Sequence, residues 1–92
     1  MEQKFIAAWT ANREKAAALG IRMRPMGADP MQDAHRCLGG HRESDGFFDL
    51  ANKGQLKLSL EALAIDKRFT ALFSDDEANN ALTRLLSAGY RF

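Results

Sequence analysis

The chain has 92 residues, 46% of them apolar and 27% charged, the make-up of a folded globular domain rather than a disordered tail. Thirteen basic side chains face twelve acidic ones, too even a balance to hold a protein on nucleic acid chiefly by phosphate neutralisation. No apolar run approaches the roughly 20 residues of a membrane helix, and Cys37, the only cysteine, leaves no intramolecular disulfide to form.

Length predicts one domain over 1–92 with a single modest core. Cut at Gly46, the chain carries seven basic and six acidic residues before it and six of each after it, so neither half is a charged arm. The opening Met1-Glu2-Gln3-Lys4 is followed by an interrupted apolar stretch without a cleavage pattern. The expected compartment is therefore the cytoplasm.

In chain order, residues 2–19 combine alanine with charged residues of good helix propensity. Phe5, Ile6, Ala8, Trp9, Ala16 and Leu19 give this helix a broad apolar side, and Gly20 is its stop. Residues 21–26 alternate, with Ile21 and Met23 against Arg22 and Arg24, a short period-2 signal weakened by Pro25 and compatible with an edge strand or an extended linker. Asp29-Pro30-Met31-Gln32 starts a second helix: Asp29 caps, Pro30 suits the first turn, and Gln32 completes a box-like pair. Gly39-Gly40 ends it, and residues 41–46 read as loop.

A third short helix is expected over 47–53, stopped at Gly54. Leu56 and Leu58, alternating with polar neighbours, permit a short strand at 55–58. Ser59 alternatively caps a helix from Leu60, whose apolar face is Leu60, Leu63 and Ala64, with a second cluster at Phe69, Leu72 and Phe73. One kinked helix or two short ones would satisfy this pattern. Ser74-Asp75-Asp76-Glu77 is a capping box with acids where the helix dipole favours them. Behind it Ala78, Ala81, Leu82, Leu85 and Leu86 follow the spacing of a buried face, with Asn79, Asn80, Thr83, Arg84 and Ser87 assigned to the polar one. Gly89 ends this helix, and Tyr90-Arg91-Phe92 leaves as an extended tail. The expectation is a mainly α fold, a compact bundle of about four to five short helices, with minor β character at most at 21–26, 55–58 and 90–92.

His35, Cys37 and His41, with Glu43 or Asp45 as a fourth, are each of zinc-ligand type. Their spacing matches no standard motif, and on a helix His35 and Cys37 point about 200° apart. No metal and no cofactor is expected. A Cys–His nucleophile would need the pair within hydrogen-bond reach, and a lone cysteine is ordinarily a small buried hydrophobe. Gly39-Gly40 follows a helix, the wrong polarity for cradling a phosphate. No catalytic residue is assigned, and an enzyme is not expected.

Two sets of residues remain. Arg13, Lys15, Arg22, Arg24, Arg36 and Arg42 would converge on one basic surface if the first two helices pack together. Trp9 would join them as a partner contact if it reaches the surface. The second set lies within 55–92, which is similar in outline to a winged-helix DNA-binding unit: Leu56-Lys57-Leu58 as first strand, 59–64 as second helix, 78–88 as recognition helix and Ala88-Gly89-Tyr90 leading to the wing. The resemblance implies Asn79, Asn80, Thr83 and Arg84 as base-readers. Three acids at the head of that helix rank a protein partner above a phosphate backbone. The leading expectation is a small non-catalytic protein-binding module, an adaptor or an inhibitor of a larger assembly such as phages and plasmids encode, with Trp9, Arg13, Arg22, Arg24, Arg36 and Arg42 as its contacts. A homodimer is compatible with a core of this size.

Overall fold

A computed structural model describes residues 1–24 and 27–90. Among these, five α-helices and two 3-10 turns form a compact, mainly α bundle without a strand. The helices are α1 (Glu2–Ala18), α2 (Pro30–Gly39), α3 (Phe47–Asn52), α4 (Leu60–Ala64) and α5 (Asp75–Ser87). None is long and apolar enough to cross a membrane.

The expected caps form. The Asp29 side chain accepts the Gln32 N–H at 3.2 Å with Pro30 in the first turn of α2. Ser59 accepts the Ala62 N–H at the head of α4. Ser74 and Glu77 make the reciprocal capping box of α5, at 3.1 and 2.8 Å. Each satisfies backbone donors that a helix start otherwise leaves unpaired.

Apolar burial falls into two clusters. The first joins α1 to α2, α4 and the Phe69–Phe73 turn: Phe5 sits edge-on to Phe69 and Phe73, with ring centroids 5.4 and 5.1 Å away, beside Trp9, Met31, Ala34, Leu38 and Leu63. Edge-to-face contacts of this kind add to the area term. The second gathers Ala16, Ile21, Phe47, Leu50, Leu56, Leu58 and Leu85, and Ile65 packs against both. Gly46 allows α3 to begin there: its φ is +77°, and an added Cβ would stand 2.8 Å from Met23 and 2.9 Å from Ile21.

The structure corrects two expectations, the strand at 55–58 and the face of the last helix, and decides between the alternatives at two other places. Leu56–Leu58 is a 3-10 turn and not a strand; Leu56 and Leu58 are both buried in the second cluster, and the tight turn holds them there with bonds inside the segment. Residues 21–24 make no ladder, in keeping with the linker alternative; Pro25 and Met26 of that segment, and Arg91 and Phe92 of the 90–92 segment, lie outside the described residues. Of one kinked helix or two short elements over 59–73, the structure has the two: α4, five residues long, and a 3-10 turn (Thr70–Leu72) that carries the Phe69–Phe73 cluster.

The second correction concerns the face of α5. Ala81 and Leu85 are fully buried, but Leu82 is 36% and Leu86 56% exposed. The inward stripe is instead Asn80, Ala81, Arg84 and Leu85, turned by about one residue from the leucine pattern. The cause is polar. Asn80 Nδ2 donates to the Leu38 carbonyl at 2.9 Å, and Arg84 Nη2 donates to the carbonyls of Cys37 and Gly40 at 3.1 and 2.9 Å. A helix end leaves its last carbonyls short of donors; the Cys37 carbonyl takes the Gly40 N–H at 3.3 Å, and α5 supplies further donors from outside, with a cation at the negative end of the α2 dipole.

Candidate partner-binding cleft

The polar interior extends from this contact. Arg84 Nη1 donates to Glu61 Oε2 at 3.2 Å, with 9% of the Arg84 side chain and none of Glu61 reaching solvent. The Ser44 N–H and hydroxyl donate to the two oxygens of the same carboxylate at 2.9 and 2.5 Å. Glu61 thus has three donors, and among the described residues no buried side-chain polar atom lacks a partner. The network ties α4, α5, the end of α2 and the loop around Ser44 into one unit.

That loop forms one wall of an open cleft of about 920 Å³. Trp9 and Arg13 of α1 line it, as do Met23, Arg24 and Gly27 of the α1–α2 connection. Asp33, Arg36 and Cys37 of α2, residues 40–45, and Leu58 and Leu60 complete the lining. A clasp joins two walls: Arg24 Nε and Nη2 donate to the two carboxylate oxygens of Asp45 at 3.0 and 3.1 Å, its N–H adds a bond at 3.2 Å, and Arg13 donates to the Arg24 carbonyl. The Arg24 guanidinium holds the Asp45 carboxyl below its ordinary range, first by the side-chain hydrogen bond. The Arg24 side chain is nevertheless 87% exposed, so the pair itself adds little stability. The Arg13 guanidinium also lies over the Trp9 ring, 5.9 Å from its centroid, a cation–π contact.

Of the residues singled out from sequence, Trp9, Arg13, Arg24, Arg36 and Arg42 line this one cleft, while Lys15 and Arg22 are exposed outside the lining. Trp9 is both a core anchor and part of the floor. The base-reading set divides: Asn79 and Thr83 face solvent, whereas Asn80 and Arg84 point inward and are bonded to α2. His35 does not face solvent freely; its Nδ1 lies 2.7 Å from Glu77 Oε2. His41 is exposed on the cleft rim, and Cys37 lines the cleft half-buried. Among the described residues no three His, Cys, Asp or Glu side chains gather around a common point. Burial, followed by the nearby Glu61 charge, pushes the Cys37 thiol up, which keeps it protonated and a poor nucleophile.

Sequence reasoning passed over Glu61 and Ser44 and weighed Asp45 only as a fourth metal ligand. Glu61 had a visible signal, a carboxylate inside the apolar run Leu60–Ala64; Ser44 had none beyond its place in a polar loop, and nothing local paired Asp45 with Arg24. No family model, curated protein or solved structure matches the chain.

Proposed function

We propose that this protein is a non-catalytic binding module, an adaptor or inhibitor, that docks part of a protein partner in the cleft between α1, α2 and the 40–45 loop. The observation that carries this reading is the convergence of Trp9, Arg13, Arg24, Arg36 and Arg42 on one concave surface. Aromatic and arginine side chains are enriched where interfaces concentrate their binding energy. A cytoplasmic site of action belongs to the same reading.

The DNA-reading alternative has less support. The only cation of α5, Arg84, is engaged inside, and the outer side of that helix shows Asp75, Asp76, Asn79, Leu82, Thr83 and Leu86. Such a surface repels phosphates at its N-terminal end.

Photo-crosslinking in the cells that make the protein tests the reading. A photoreactive amino acid at position 36 or 42 is expected to trap a protein, with the adduct resistant to nuclease; at position 67, outside the cleft, it should trap none. Equal capture at 67, or nuclease-sensitive adducts, would refute the cleft as the docking site.

A further inference from the structure

We infer that the cleft selects an acidic segment of its partner, with carboxylates on Arg36, Arg42 and Nη1 of Arg24 and an apolar side chain against Trp9 and Met23. This rests on the cleft being the docking site and adds the chemistry of its occupant. Charged donors and acceptors in the cleft are unevenly matched. Four arginines line the cleft against three carboxylates, Asp33, Glu43 and Asp45.

Two of those carboxylates are already occupied. Asp45 accepts three hydrogen bonds from Arg24, and Asp33 accepts the Gly27 N–H at 2.9 Å. On the donor side, Arg24 Nη1 is unbonded among the described residues, and Arg36 reaches Asp33 only at 4.0 Å. Among the described residues Arg42 has no ion pair or hydrogen bond, and only Glu43 opposes it with an unbonded carboxylate. Guanidinium donors therefore outnumber acceptors on the rim, and a partner's carboxylates complete the forks in the charge-assisted geometry that arginine favours.

A continuous phosphate chain fits less well. Asp33, Glu43 and Asp45 interrupt the arginines, which suits discrete carboxylates placed between them and opposes an unbroken row of charge.

The test is a selection from a random displayed-peptide library on the intact protein, counter-selected on the Arg36→Glu/Arg42→Glu variant. Its readout is the emission of Trp9, the only tryptophan in the chain. Enriched peptides are expected to be net acidic with one bulky apolar residue and to shift Trp9 emission. Their affinity should weaken about tenfold or more in Arg36→Glu, as truncating interfacial charge contacts does, and strengthen in Glu43→Gln. Neutral or basic enriched peptides, unchanged affinity in Arg36→Glu, or tighter binding of a ten-nucleotide single strand than of any peptide would overturn the inference. Crosslinking at positions 36 and 42 reports separately: if it persists while acidic selection fails, the cleft still docks a partner and only its acidic character is wrong.

Discussion

Replacing Arg84 with methionine isolates the contribution of the buried network. The substitution keeps an unbranched apolar stem and removes the guanidinium. Glu61, with none of its side chain exposed, would keep only the Ser44 N–H and hydroxyl as donors. The carbonyls of Cys37 and Gly40 would lose the Arg84 donor. Removing one partner of a buried ion pair costs about 3–5 kcal/mol, because the remaining charge stays desolvated. Small domains are stable by about 5–15 kcal/mol, so Arg84→Met is expected to remove a large share of the total. With a urea slope of about 1–1.5 kcal/mol per M for a chain of this size, the midpoint followed by far-UV circular dichroism should fall by roughly 2–5 M. The double variant Glu61→Leu/Arg84→Met removes both charges, and replacing a buried pair by apolar groups is often close to neutral; it is expected to be more stable than Arg84→Met alone. A cost below about 1 kcal/mol for Arg84→Met, or a double variant whose cost equals the sum of the singles, would refute the account.

The remaining predictions probe the core, a backbone constraint and acid stability. Leu85→Ala should cost about 2–5 kcal/mol, the range for a fully buried leucine, whereas Leu82→Ala should stay within about 1 kcal/mol; thermal melts of the pair read out the face of α5, and equal losses would restore the leucine stripe. Gly46→Ala should destabilise by more than about 1 kcal/mol, because φ is +77° and the new methyl meets Met23 and Ile21; an unchanged melting temperature would refute this. At Glu77, burial pushes the carboxyl up, but hydrogen bonds from the Ser74 N–H and the His35 ring outweigh it and leave the group below its ordinary value of 4.5. A folded value lower than the unfolded one gives stability that is present above pH 4.5 and lost as pH falls through the folded value. Glu77→Gln should therefore flatten the fall of the urea midpoint with pH below 4.5, and an unaltered slope would show that the group is not perturbed.

What could be read from the sequence follows the range of the interactions. Caps were legible because donor and acceptor lie three residues apart: Asp29 with Gln32, Ser59 with Ala62, Ser74 with Glu77. The α5 face was not, because the partners that turn Asn80 and Arg84 inward lie 42 to 47 residues away, and a polar residue near a leucine stripe reads locally as solvent-facing. Leu56 and Leu58 misled for a different reason: two buried apolar residues two apart fit a strand or a single 3-10 turn, and only the bonds made by the neighbouring chain separate these. For the cleft, its arginines were visible as residue types scattered over 13–42, but nothing local indicated that Arg22 would point elsewhere while the other four met Trp9.

The buried pair and the cleft belong to one physical argument. Residues 40–45 have no regular hydrogen-bond ladder of their own, and holding one residue in a single backbone conformation costs about 1–2 kcal/mol. Three ties offset that cost from different elements: Arg84 to the Gly40 carbonyl, Glu61 to Ser44, and Arg24 to Asp45. The middle tie is buried and the outer clasp is exposed, so the loop is fixed at its base by the strong contact and shaped at its rim by the weak one. A wall ordered in advance need not be ordered again when a ligand arrives, which lowers the entropic cost of binding. The Glu61–Arg84 pair lies outside the cleft lining and holds its wall through Ser44 and Gly40.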